Sequence, residues 1–145
     1  MRPRPPPLRH ALLLATLLLL SVALPAVAAD LSVELNGVRA NTGLLKLAVV
    51  DARGWDGQAA PLQATATAPD GASANFSFKG LAPGRYAVMV THDENGNGKL
   101  DTNLIGMPVE GYGFSKNPNV MRKPTFEEAS FELGQEDLAV TIELR

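Results

Sequence analysis

From residue 31 onward, apolar residues recur at every second position in run after run, and this two-residue period constrains the fold more than any other feature. Leu31, Val33 and Leu35 share one face of the first run, and the next run, at 45–50, repeats the pattern with Leu45 and Leu47. A period of 2 is typical of a β-strand that buries one face. After residue 29, no stretch of the chain carries apolar residues at helical spacing. The sequence therefore predicts an all-β fold.

Six strands follow from this alternation, and a less regular seventh is predicted at 63–68. The six lie at 31–35, 45–50, 75–79, 85–90, 131–133 and 138–144. Short strands separated by turns that contain Gly and Pro are typical of an Ig-like or transthyretin-like β-sandwich of about seven strands. Segment 106–124 has no strand pattern and is predicted to be a long loop, of a kind that is often functional. The predicted core comprises Leu35, Leu47, Val49, Phe76, Phe78, Tyr86, Val88, Val90, Phe131, Val140 and Ile142.

Segment 1–29 differs from the rest of the chain. It contains three arginines and no acidic residue, an apolar run at 11–24, and a Pro followed by small residues that include Ala28 and Ala29. A positive head, an apolar run and a small-residue cleavage site predict a secretory signal peptide, cut after Ala28 or Ala29. The apolar run is shorter than the roughly 20 residues that a spanning helix needs. We expect a signal peptide at 1–29 and one domain at 30–145, periplasmic or secreted and without a membrane association after cleavage.

The composition excludes several classes of function. The chain has no cysteine, so disulfides, zinc–thiolate sites and thiol nucleophiles are absent. Without the three arginines of segment 1–29, ten basic side chains face fifteen acidic ones, and the formal charge moves from −2 to −5. Nucleic-acid binding depends on clustered Lys and Arg, so the acidic domain is not expected to bind nucleic acid. The expected partner is an unknown protein or a carbohydrate ligand.

An acidic, glycine-rich run, HDENGNGKLD, occupies residues 92–101. Counted from Asp93, side-chain oxygens fall at positions 1, 3, 5 and 9, a glycine at position 6 and a backbone carbonyl at position 7. This is the spacing with which a loop surrounds Ca²⁺, an ion that prefers carboxylate and amide oxygens. The predicted calcium ligands are Asp93, Asn95, Asn97, the Lys99 carbonyl, Asp101 and, from across the loop, Glu110.

The calcium pattern is incomplete, and a plain polar turn explains the same residues. Position 12, a bidentate Glu in a helix–loop–helix calcium site, is Leu104 here, and no helices are predicted on either side. Asn103 is an alternative further ligand. Two Asn–Gly steps also build tight turns without metal, because both residue types tolerate a positive φ. The sequence leaves both interpretations open.

Catalytic groupings are weak. His92 is the only histidine after residue 29, and it directly precedes Asp93 at a predicted strand end. Consecutive strand residues point to opposite faces, so Asp93 cannot readily orient His92 for a relay with Ser115. We therefore predict no enzymatic activity. A hydrolase, the less favoured alternative, requires a cleft that joins His92, Glu110 and Ser115.

A ligand-binding module for a carbohydrate or peptide is the other alternative, and it would use the segment 106–115. Tyr112 and Phe114 lie there, on either side of a glycine. The two rings either form an exposed platform or fill the end of the sandwich. Trp55, in a glycine-bearing segment, poses the same question.

Two blocks of sequence resemble a known family. HDENGNGKLD at 92–101 and PVEGYGFS at 108–115 resemble an uncharacterised family of exported bacterial proteins, a domain of unknown function. The resemblance covers nearly the whole mature chain; it implies export and a shared fold and carries no activity. The shorter element LAPGRY at 81–86 is similar to prealbumin-like and carboxypeptidase-regulatory-like modules. We expect an exported, non-enzymatic β-sandwich stabilised by a weak calcium site at 93–101.

Overall fold

The computed structural model describes Met1 and residues 27–145, so the predicted signal peptide lies almost entirely outside the described residues. The described part of the chain is mostly β-strand, which confirms the all-β prediction. Its strands are β1 (Ala29–Asn36), β2 (Leu44–Val50), β3 (Gln63–Thr67), β4 (Ser73–Leu81), β5 (Gly84–Asp93), β6 (Gly111–Phe114), β7 (Phe131–Leu133) and β8 (Leu138–Glu143). Two four-residue helices, α1 (Ala52–Trp55) and α2 (Phe126–Ala129), complete it. Within residues 27–145, none of the helices has the length and apolar character needed to cross a membrane.

The strands form two sheets. The small sheet has the order β4-β1-β8, and the large sheet has the order β3-β2-β5-β6, with β7 also paired to β5. β1 is parallel to β8, and the other strand pairs are antiparallel. The chain passes between the sheets four times, after β1, β3, β4 and β7. Strands that are adjacent in sequence therefore often lie in opposite sheets.

One hydrophobic core lies between the two sheets. It contains the inward residues of β1 and β8 from the small sheet and those of β2 and β5 from the large one. Of the eleven residues predicted to share this core, eight are buried. The other three, Phe76, Phe131 and Val140, are partly buried and pack against the same cluster. The predicted inward faces are therefore confirmed.

The two short helices cover part of the outer face of the large sheet. The Asp51 side chain accepts a hydrogen bond from the Gly54 N–H at 2.8 Å and so caps the start of α1. Trp55, only 4% exposed, packs its ring against Phe114 and Phe126, with centroid distances of 5.5 and 6.3 Å. The question raised for Trp55 is thus answered: the ring is buried between β6 and α2 and is not an exposed platform.

The prediction of a continuous loop at 106–124 is wrong, because β6 lies within it. The core-facing positions of β6 are Gly111 and Gly113, opposite His92 and Val90 of β5. A Cβ atom on Gly113 would lie 2.7 Å from Ile142 Cγ2, so only glycine lets β6 approach β8 this closely. Glycine has no apolar side chain, so the alternation of apolar residues does not reveal this strand.

Replacing Val88 with alanine should lower the free energy of unfolding by about 1–3 kcal/mol, because the side chain is fully buried between the sheets. Denaturant unfolding measures the change. Val109→Ala, at a residue that is 52% exposed, is the matched control and should change stability by less than about 0.5 kcal/mol. Equal effects of the two substitutions would contradict the assignment of the buried face.

Candidate functional site

The acidic run forms a compact loop at the end of β5. A narrow hairpin follows it, closed by the bridge between Thr102 and Pro108 and by a 2.9 Å hydrogen bond from the Val109 N–H to the Asp101 carbonyl. The hairpin returns the chain to the loop, and Glu110 follows directly. The hairpin thereby places Glu110 across the loop, where the sequence suggested it.

Glu110 connects the two sides of this loop. Its side chain is buried, and its Oε1 accepts hydrogen bonds from the N–H groups of Glu94 at 2.9 Å and Asn95 at 3.3 Å. Its Oε2 accepts a hydrogen bond from the Asp101 N–H at 2.9 Å. Both oxygens are engaged by backbone donors. Glu110 therefore acts as the anchor of the loop.

Asp93 is the buried carboxylate of the loop, with a side chain only 2% exposed. Its Oδ2 accepts hydrogen bonds from Lys46 Nζ at 2.6 Å and from the Gly98 N–H at 2.9 Å. Gly98 has a φ of +84°, which makes the bend that the sequence predicted at this glycine. The Lys46 ammonium, followed by the Gly98 N–H, holds the pKa of Asp93 below its usual value. Asp93 Oδ1 is buried and has no hydrogen-bond partner among the described residues.

The exposed part of the loop converges on Asp101. The Nδ2 atoms of Asn95 and Asn97 donate to the Asp101 carboxylate at 2.6 and 2.9 Å. The Oδ1 atoms of the same two residues accept from the N–H groups of Asn97 and Lys99, in the local turns typical of Asn. In this arrangement the loop is internally bonded as a polar turn, and a bound Ca²⁺ would require the Asn oxygens to rotate inward. Within residues 27–145, no three His, Asp or Glu side chains group together closely enough to hold a metal by themselves.

A second candidate site is an open groove of about 870 Å³ on the outer face of the large sheet. Its floor is made by outward side chains of four strands: Ala64 and Ala66 of β3, Ala48 of β2, Met89 of β5, and Tyr112 and Phe114 of β6. The hairpin at 100–108 forms one wall and residues 121–123 form the other. The acidic loop thus continues directly into a wall of the groove.

The floor of the groove is more apolar than an outer sheet face usually is. Antiparallel sheets that pack one face on a core normally present polar side chains on the other. Here the outward positions carry Ala48, Ala66 and Met89, and Met121 at the wall is 85% exposed. The helices bury one end of this face, and the groove is the part that they leave open. An open groove with an apolar lining is a candidate ligand site.

The two rings of segment 106–115 belong to this groove. Tyr112 and Phe114 are partly buried and lie edge-on to one another, with centroids 6.0 Å apart. They lie on the outer face of the large sheet. The interpretation that the two rings fill the end of the sandwich is therefore wrong. The groove also contains residues that the sequence analysis did not single out, above all Lys46, Met89 and the segment 121–123.

Of the residues that the structure describes, three charged ones line the groove, and all three are cations: Lys46, Arg122 and Lys123. Lys46 is paired with Asp93. Arg122 donates two hydrogen bonds to the Glu128 carboxylate at 2.8 and 2.9 Å. This guanidinium, aided by an N–H of the backbone, lowers the pKa of Glu128 to about 2.

Lys123 has a different environment from the other two cations. Its Nζ donates to the Trp55 carbonyl at 2.8 Å and lies 4.7 Å from the centroid of the Trp55 ring. Among the described residues, no carboxylate forms a salt bridge with it. The contacts of its ammonium among the described residues are a carbonyl dipole and an aromatic face.

The residues required for a hydrolase do not line the groove. The Ser115 hydroxyl is buried, donates to the Ala129 carbonyl at 2.6 Å and accepts from the Val88 N–H at 2.9 Å, so it holds α2 against β5. His92 is buried on the core side of β5, and its Nε2 lies 2.9 Å from the Thr42 carbonyl. Because a carbonyl can only accept, Nε2 is the donor in this bond.

The fold and these two sites define a class of protein: an all-β domain of two sheets, with an acidic loop at the end of its central strand and a groove on one sheet face. The chain belongs to the family described as "Uncharacterized protein conserved in bacteria (DUF2141)", whose model matches residues 33–141. This confirms the resemblance to an uncharacterised bacterial family. The matched range includes the acidic loop and the residues that line the groove. No curated protein and no solved structure matches the chain.

Replacing Glu110 with glutamine should lower the free energy of unfolding by about 1–3 kcal/mol, because one of its buried acceptor oxygens becomes an amide group that faces backbone N–H donors. Denaturant unfolding measures the loss, and hydrogen exchange at the Glu94 and Asp101 amides should accelerate with it. Glu136→Gln, at an exposed glutamate, is the control. Unchanged stability in both variants would show that Glu110 does not anchor the loop.

Proposed function

We propose that this protein is an exported, non-enzymatic module that binds an apolar ligand in the groove of its large sheet. The groove itself carries the proposal. Its volume of about 870 Å³ lies within the range of about 300–1,000 Å³ typical of ligand sites, and a largely apolar lining with a few polar groups is the usual chemistry of such sites. The floor combines two aromatic rings with alanine and methionine side chains and offers few hydrogen bonds to sugar hydroxyls, so it favours an apolar ligand over a carbohydrate.

An Ig-like or transthyretin-like sandwich is the finer fold class that we propose for this domain. Two sheets of mainly antiparallel strands around one core, with repeated crossings between them, support it. The start of β1 supports processing after Ala28: Ala29 is buried and pairs with Leu81. Cutting after Ala29 would remove a buried residue from the strand. Export to the periplasm or the exterior is part of this proposal.

A calcium ion in the loop 93–101 is a second proposal, with a structural role. The buried Asp93 Oδ1, which lacks a hydrogen-bond partner among the described residues, supports it, as does the convergence of Asn95 and Asn97 on Asp101. The site would hold two formal negative charges and no bidentate Glu. Sites of this kind bind weakly, with a dissociation constant of about 10⁻⁴–10⁻³ M. The Lys46 ammonium on Asp93 competes for the same carboxylate and lowers the affinity further.

Addition of an uncharged solvatochromic dye should give a blue-shifted emission with the wild-type protein, because the groove offers an apolar surface to the dye. Ala66→Glu should weaken dye binding about tenfold, since it places a carboxylate on the groove floor, where a bound dye would desolvate it. A fluorescence titration measures the dissociation constants.

The matched control is Ala139→Glu, at an exposed alanine on β8 that is not part of the groove. It should bind the dye as the wild type does. Absence of dye binding to the wild type, or equal binding to all three proteins, would overturn the proposed use of the groove.

Calcium should raise the melting temperature of the wild type relative to chelator, by stabilising the folded state by about 1.4 kcal/mol at ten times the dissociation constant. Asp93→Ala and Asp101→Ala should each abolish this rise. Glu94→Ala should retain most of it, because the Glu94 carboxylate bonds Arg39 and the Gly111 N–H and takes no part in the predicted ligand set. Thermal melts in millimolar calcium and in chelator make the comparison. Identical melting temperatures of the wild type in calcium and in chelator would show that the loop is a polar turn without a calcium site.

A further inference from the structure

We infer that the ligand of this groove is a single-chain amphiphile with a carboxylate head, of the fatty-acid type, and that Lys123 receives the head. This inference rests on the proposed binding function of the groove and adds the chemical class of the ligand. It follows from the charges along the groove, from the lack of an ionic partner for one of them among the described residues, and from the apolar floor.

The sign of the charges in the groove is opposite to that of the domain. The chain after residue 29 has a formal charge of −5, yet the charged residues that line the groove are Lys46, Arg122 and Lys123. Among the described residues, no Asp or Glu lines this groove. A positive groove in an acidic domain attracts anions and disfavours cations.

Only one of the three cations is available to a ligand. Lys46 is held by the buried Asp93, and Arg122 is held by two hydrogen bonds to Glu128. Lys123 uses one of its three N–H donors on the Trp55 carbonyl and faces the ring of the same residue. A carboxylate at the groove would give this ammonium the ionic partner that residues 27–145 do not provide.

The head group alone cannot supply much affinity, because an ion pair with an exposed lysine is weak in water. The apolar floor supplies the rest of the affinity. Ala48 and Ala66 leave space over the strands, and Met89 is a flexible side chain that adapts to an alkyl chain. Each methylene buried there should tighten binding about fourfold. A cationic head-group site next to a long apolar floor therefore selects an anionic amphiphile, in preference to a small anion or an uncharged hydrocarbon.

Calorimetric titration with decanoate, decanol and decylammonium, each below its micellar concentration, measures the three affinities and tests the inference. Trp55 is the only tryptophan of the chain and its ring faces Lys123, so its fluorescence reports on a head group that engages the ammonium. We expect decanoate to bind about three- to fivefold more tightly than decanol, and decylammonium to bind most weakly. Lys123→Gln should remove the preference for decanoate and leave decanol binding unchanged. Lys123→Arg should preserve the preference for decanoate. Lys116→Gln, at an exposed lysine outside the groove, is the control and should behave as the wild type.

The outcomes separate this inference from the proposed function. Equal affinities for decanoate and decanol would overturn the carboxylate head and leave the apolar groove standing. A decanoate preference that survives Lys123→Gln would overturn the assignment to Lys123. Binding of the uncharged dye without binding of any of the three amphiphiles would overturn the ligand class alone. Failure of the dye and the amphiphiles together would overturn the proposed function as well.

Discussion

The pairing and packing of strand β5 hold this domain together, because both faces and both edges of the strand are in contact with other elements. It pairs with β2 along one edge and with β6 and β7 along the other. Its inward residues, from Tyr86 to His92, are buried in the core between the sheets. Its outward residues form part of the helix-covered cluster at one end and the groove floor at the other. A strand in this position tolerates little change on either face.

The acidic loop and the groove are physically connected through shared residues. Lys46 donates to Asp93 in the loop, and its side chain also lines the groove. The hairpin at 100–108, which directly follows the loop, forms a wall of the groove, and Glu110 fixes the loop to the start of β6. A movement of the loop therefore shifts a wall of the groove and changes the surroundings of one of its cations. The acidic loop and the groove are parts of one structural unit.

How much could be predicted from the sequence differs between the two sites. The loop was found because its signal is local: oxygen-bearing side chains at alternate positions and a glycine at the bend lie within one short run of the chain, 93–101. The groove has no such signal. Its floor comes from four strands, its walls from two further segments, and its most distinctive feature is the presence of small residues such as Ala64 and Ala66 where polar ones are common. Strand β6 was missed for a related reason, since glycines occupy its inward positions.

Most of the strands, their inward faces and the turn chemistry of the acidic loop follow from the order of the residues alone. Side-chain alternation and backbone preference act between residues that are neighbours in the chain, so their consequences can be read locally. Three contacts depend on the folded chain: Lys46 bonds Asp93, Glu110 anchors the loop by accepting backbone hydrogen bonds, and Trp55 is buried against β6 and α2. These contacts join residues that are far apart in sequence, and they depend on which strands become neighbours. The same pairing decides which part of the outer sheet face is covered and which part remains open as a groove.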